Sequence, residues 1–256
     1  MQQNPGEGGE GVRSVLRALD LLALFDETHR SRTVRELIDA TGLPKSTVVR
    51  LVATLEQRGL LWTRGDGRLA PGAGMLRWAQ LAQDAWQLPA EAVECLRNLS
   101  EESGGESSRI YIRQGVSRLC VAQHEGTQQL RHVVRIGEAM PLWAGASGHV
   151  LLAGSSPEDL RGVAAAAGRG SDFEPVLAER VRHAEEQGWA VSHGEREDGV
   201  SAVAAPVTDS SGRAAAAVGL GGPTSRFTRE RVEAFIPVVM NVAKQLSKLQ
   251  FIGGRS

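Results

Sequence analysis

Lys45, Ser46, Thr47, Val49 and Arg50 stand within six consecutive positions, directly after a Gly42-Leu43-Pro44 turn. These types suit the start of a helix seated in the major groove of DNA. Small or hydroxyl-bearing side chains let the helix come close, an arginine can bond guanine bidentately, and a lysine meets phosphate. The free N–H groups of a first helical turn add a phosphate contact. Arg64 and Arg68 flank a Gly65-Asp66-Gly67 turn, where they could grip phosphates or the minor groove. From Arg30 to Arg68 the chain holds eight Lys or Arg against four Asp or Glu, a local excess of four. A solvated polar face on an ordinary three-helix bundle would use similar residues. The caps and spacing around this one favour nucleic acid.

A second group lies further along. Arg109 and Tyr111 alternate on one strand face. They could anchor a carboxylate, or be a surface arginine beside a core-edge tyrosine. His124, His132 and His193 could line the same pocket or serve as hydrogen-bonded structural residues. Enzyme signatures are weak. Gly145-Ala146-Ser147-Gly148-His149 lacks the final glycine of a nucleophile elbow. Gly219 to Thr224 is not a dinucleotide-binding loop, because position 224 is Thr and Pro223 precedes it. Cys95 and Cys120 have no C-x-x-C neighbour and the histidines show no paired spacing, so neither a metal nor a cofactor is expected. A thiol redox sensor is a minor alternative.

The elements that must hold these groups are legible. Val12, Val15, Leu16, Leu19, Leu22 and Ala23 form one apolar stripe on a helix of about four turns. Thr33 and Glu36 make a capping box opening a second helix, which Gly42 ends. Pro44 suits the first position of a third helix, with Val48, Leu51, Val52 and Leu55 as its buried face. Leu60 to Ala70 reads as a hairpin. The order is a winged helix-turn-helix over 12–72. Residues 73–89 read as a linker helix, Met75 to Leu88, ending at Pro89. A mixed domain over 90–252 follows. Its strands are expected at Ile110–Ile112, Leu119–Ala122, His132–Ile136, Trp189–Ser192, Ala202–Val207 and Ala214–Leu220. Helices are expected over Pro175–Gln187 and from a Thr228 cap to about Leu249. Residues 1–11, rich in Gly and Glu, are expected to be disordered.

Composition sets the outer bounds. The chain has 256 residues, a net charge of −1, 41% apolar and 23% charged residues. These are ordinary values for a soluble globular chain. The longest apolar runs fall far short of a membrane span, so no membrane is expected. Neither a secretory signal nor a disulfide framework is evident, which fits the cytoplasm. Arginine outnumbers lysine 26 to 3, a bias explained by source composition as well as by function.

Three stretches in order carry a family likeness. They are Ser14–Leu22 with Thr41–Leu51 and Leu55–Gly59, then Ala144–Ala153, then Gly199–Val207 with its Ala204-Ala205-Pro206-Val207 close. Together the chain resembles the IclR family of bacterial transcription regulators over about residues 12 to 250. The resemblance implies an α+β chain: a winged helix-turn-helix, a linker helix and a GAF-like mixed α/β effector-binding domain. It implies a dimer or tetramer on a palindromic operator of double-stranded DNA. It also implies a small-molecule effector, often a carboxylic or aromatic acid, above the central sheet. By position the rim is Trp143 to Ser147, including Ala146, and the strand contributors are Ser192, Ala202, Gly219 and Gly221. Members that bind small oxo-acids carry Asp, Cys and two Ser at those four strand positions. Three of the four polar groups are therefore lost here. With Trp143 as an aromatic wall, a larger, flatter and less polar ligand is expected. The alternative is a regulator whose second domain only oligomerises.

Overall fold

The computed structural model describes residues 12–26 and 28–250. The expected tail over 1–11 lies outside them, as do 251–252 at the end of the expected second domain. Contacts divide the chain into two compact units, 1–87 and 88–256.

In the first unit, α1 (Arg13–Leu22), α2 (Val34–Thr41) and α3 (Lys45–Gln57) precede a hairpin of β1 (Leu61–Thr63) and β2 (Leu69–Pro71). The helix α4 (Gly74–Ala85) follows. The Thr33 hydroxyl accepts from the Glu36 N–H, and the Glu36 carboxylate accepts from the Thr33 N–H at 2.6 Å. Gly42 then sits at φ 64°, a left-handed conformation that favours glycine. Pro44 stands one position earlier than expected, at the cap itself. Leu21, Leu37, Val48, Val52, Leu55, Leu61 and Leu69 form the core.

The stripe read on α1 behaves otherwise. Val12, Val15, Leu16 and Leu19 are exposed, and Leu21 with Ala18 and Leu22 meets the core. The helix is apolar on more than one side, and periodicity alone does not choose between them. On α4, Leu76, Trp78 and Leu81 are exposed too.

The second unit is a six-stranded antiparallel sheet in the order β5-β4-β3-β8-β7-β6. The strands are β3 (Ser107–Gln114), β4 (Ser117–His124), β5 (Ala139–Pro141), β6 (Ala190–His193), β7 (Val200–Thr208) and β8 (Ala214–Pro223). The helices are α5 (Ala90–Glu102), α6 (Ala146–Leu151), α7 (Pro157–Ala166), α8 (Phe173–Gln187) and α9 (Arg229–Leu249). Strand alternation splits the side chains between two faces. Ile110, Val203, Val218 and Leu220 pack with Leu96, Leu99, Phe235, Val239 and Leu246 of α5 and α9. Tyr111, Cys120, Ala204 and Ala217 pack with Val150, Val163, Leu177 and Val181 of α6, α7 and α8.

Among the elements that differ from the sequence reading, α5 and the short β5 were not expected. His132 to Ile136 is not a strand but part of the loop between β4 and β5. Val133 and Ile136 are exposed, and the His132 carbonyl accepts from Arg109 instead of a ladder N–H. The helix α7 was missed, although Ser156 caps it by accepting from the Asp159 N–H with Pro157 in the first turn.

Candidate functional site

The α3 face opposite the core presents Lys45, Ser46, Val49 and Arg50 to solvent in one row. Val48, Val52 and Leu55 on the other side fix that orientation. Thr47 is half-buried, so it sits at the edge of the row. An exposed row of one cation pair, a hydroxyl and an apolar group can meet phosphate, base edges and a thymine methyl. Arg64 is exposed at the hairpin turn, 4.0 Å from Asp66.

Arg68 is differently placed. Its guanidinium donates to the Ser31 carbonyl at 2.9 Å, the Ser31 hydroxyl at 3.0 Å and Glu36 at 3.1 Å. It thereby ties the hairpin to the capped start of α2. The two wing arginines should therefore separate. Arg64→Ala should lower the salt slope of DNA binding by about one and leave thermal unfolding unchanged. Arg68→Ala should lower the unfolding temperature. Titrations at several salt concentrations and thermal melts of both variants check this.

In the second unit, a cavity opens on the sheet face that packs α6 to α8. Sheet register assembles it. Ser107, Gly221, Ala202 and Ser192 form one cross-strand row, and Arg109, Gly219, Ala204 and Ala190 the next on the same face. All the carried-over strand residues line the cavity, with Ala146, Ser147, Arg109 and Tyr111. The Ser192 hydroxyl accepts from the Ala146 N–H at 3.0 Å, which pins the rim to β6. Burial pushes the Tyr111 phenol up to about 12, so it stays protonated.

Trp143 does not line the cavity. Its ring stands edge-on to Phe173, centroids 5.8 Å apart, with the Arg169 guanidinium 4.3 Å from its centre. His132 lines the cavity, whereas His124 and His193 do not. His193 Nδ1 bonds the Ser201 hydroxyl at 2.8 Å. Burial first, then Arg109, Arg196 and Arg118, lower the His132 imidazole to about 4. Arg118, Glu195 and Arg196 were not foreseen. Arg118 precedes Cys120 by two residues on β4, so it shares the inward face, but Ser117 to Ala122 has no clean polar alternation to reveal it.

The walls of this site carry more charge than its strand positions alone imply. The cavity measures about 50 Å³, room for about four water-sized groups. Arginine heads occupy the space left by small residues. A Cβ on Gly221 would lie 3.2 Å from Arg109 Nη1, and one on Gly145 would lie 3.1 Å from Arg118 Nη2.

Both thiols are held in the protonated form. Burial raises Cys120 to about 11 and raises Cys95 as well, with Glu94 adding to the second. The thiolate is the reactive species. Thiol titration of the native protein at pH 7 should therefore be slow at both, becoming fast only on unfolding. Rapid native labelling of Cys120 would contradict this.

A winged helix-turn-helix ahead of a cavity-bearing mixed domain defines a DNA-binding transcription regulator. The comparisons place it further. The IclR helix-turn-helix domain model matches residues 14–65, and the bacterial transcriptional regulator IclR C-terminal model matches 81–248. The chain belongs to the IclR family. It is 30% identical over 244 residues to the HTH-type transcriptional regulator KipR of Bacillus subtilis, covering 92% of this chain and 96% of that one. A solved IclR-family regulator from Rhodococcus sp. shares 44% identity and a TM-score of 0.63, covering 97% of this chain and 98% of that one. An IclR homologue from Microbacterium hydrocarbonoxydans, solved with 4-hydroxybenzoate, has a TM-score of 0.70 at 19% identity. The match covers 93% of this chain and 98% of that one, and shows the shared fold. Among the described residues no helix is long and apolar enough to cross a membrane.

Proposed function

We propose that this chain is a ligand-responsive regulator that binds a palindromic operator as a dimer or tetramer and senses a small acid in its second domain. One observation carries the sensing half. Arg109 is only 3% exposed, yet its guanidinium faces a cavity. A domain that only oligomerises has no use for a buried cation there, because an isolated charge out of water is costly. The homologue solved with 4-hydroxybenzoate lends support by analogy. The DNA contacts are assigned to Lys45, Ser46, Thr47, Val49, Arg50 and Arg64. Exposed apolar residues on α1 and α4 support self-association, since contiguous apolar surface marks interfaces. The protein is read as cytoplasmic.

Footprinting on the DNA beside its own gene, with and without small acids, tests the reading. A protected palindrome with half-sites ~34–36 Å apart, altered by an acid, is expected. Protection that no acid changes would favour oligomerisation alone for the second domain. No protection at low salt there or in a genome-wide selection would overturn the DNA assignment.

A further inference from the structure

The charges around the cavity do not balance among its own side chains. Arg109, Arg118 and Arg196 face it, with Glu195 and Glu197. Glu197 pairs with Arg196 at 3.2 Å. Glu195 is engaged by Arg180 at 3.3 Å, by His149 at 3.1 Å and by the Gly145 N–H at 2.9 Å. Burial raises the Glu195 pKa, but those three partners outweigh it and hold the carboxyl below its ordinary value.

Arg109 and Arg118 are left. Arg109 donates to the His132 carbonyl, and Arg118 to the carbonyls of Pro141 and Ala144. Carbonyl oxygens answer the hydrogen bonds but not the charge. The two residues are 3% and 4% exposed, and each has a buried Nε with no hydrogen-bond partner. Arginine does not relieve such burial by losing its proton at neutral pH. The two heads also stand at different places. Arg109 Nη1 lies beside Gly221 on β8, and Arg118 Nη2 beside Gly145 on the turn before α6. The Tyr111 ring lies 5.6 Å from the Arg118 guanidinium, offering apolar surface near it.

We propose that the cavity takes a short dicarboxylate, with one carboxylate on Arg109 and the other on Arg118. This deepens the effector reading above and rests on it. Two separated cations match two separated anions. The cavity is small, which favours a short chain between the two carboxylates.

Calorimetric titration of the full-length protein at pH 7 tests the proposal. The probes are the straight-chain dicarboxylates from malonate to adipate, each paired with its monoamide, which keeps the shape and removes one charge. Inorganic phosphate and benzoate serve as comparisons. The best dicarboxylate should bind at least tenfold tighter than its own monoamide. Arg118→Met should abolish that preference, and Arg118→Lys should restore part of it. Operator binding and thermal melts verify that the variants fold. If Arg118→Met does not fold, the wild-type comparison of diacid with monoamide still decides. Equal binding of the two overturns the proposal and leaves a singly charged effector. Tighter binding of phosphate or benzoate than of every dicarboxylate also overturns it. Binding of none of these probes overturns it and removes this support for the effector reading.

Discussion

Alanine in place of Arg50 is expected to weaken operator binding by about five- to 150-fold for each copy on the DNA. That range corresponds to the ~1–3 kcal/mol of a bidentate arginine–guanine contact. Two copies acting on two half-sites would multiply the loss. Arg50 is exposed on α3, on the side away from Val48 and Val52. Its backbone carbonyl accepts from the Thr54 hydroxyl at 2.9 Å. That bond involves main chain and survives the substitution, so the melting temperature should hold. The variant should also tolerate a base change at one position of each half-site better than the wild type does. Lys45→Ala should behave differently, weakening all sequences alike and lowering the salt slope by about one. Anisotropy titrations against the footprinted operator and its single-base variants separate the two. Normal binding by Arg50→Ala would mean that another face of the domain meets DNA.

This contrast rests on what the sequence makes legible. A helix start is a local event, so Thr33, Glu36 and Gly42 declare the second helix through bonds made within a few residues. The final helix is equally local, with Thr228 accepting from the Arg231 N–H. The row of Ser192, Ala202 and Gly221 was legible only by likeness to the family, because three separate strands bring it together. Long side chains were the hardest to place. Arg68 reaches Ser31 and Glu36 from 37 and 32 positions away, and Arg118 reaches Ala144 from 26. A flexible arginine can turn out or in with no change in the local pattern. Trp143 was misplaced for a related reason: Phe173 and Arg169 offer its ring a better-packed site than the cavity does. The apolar run at Val133 to Ile136 has strand propensity, yet propensity yields where tertiary bonds claim the backbone.

The arginine-rich cavity also makes the second domain acid-sensitive through His132. Its imidazole sits against Arg196 and 3.7 Å from Glu197, with Arg109 and Arg118 acting from the cavity wall. Burial and those cations lower it from 6.5 to about 4, so the folded protein holds it neutral where the unfolded chain would already be protonated. A depressed pKa means that the folded state binds fewer protons than the unfolded state between the two values. Stability is then fully present above about 6.5 and declines as pH falls toward about 4. At 1.36 kcal/mol for each pH unit, the loss would approach about 3 kcal/mol, and about 2 kcal/mol once solvent screening of the partly open ring is allowed for. That is a large fraction of the ~5–15 kcal/mol that holds an ordinary domain together. Denaturant melts between pH 7.5 and 4 should show the decline, and His132→Gln should flatten that part of the curve. A dicarboxylate in the cavity would oppose the arginines electrostatically and raise the His132 pKa. Its binding should therefore take up protons near pH 5, and calorimetry in buffers of different ionisation heat would register them. A wild-type curve as flat as that of His132→Gln would show that the imidazole does not feel these cations.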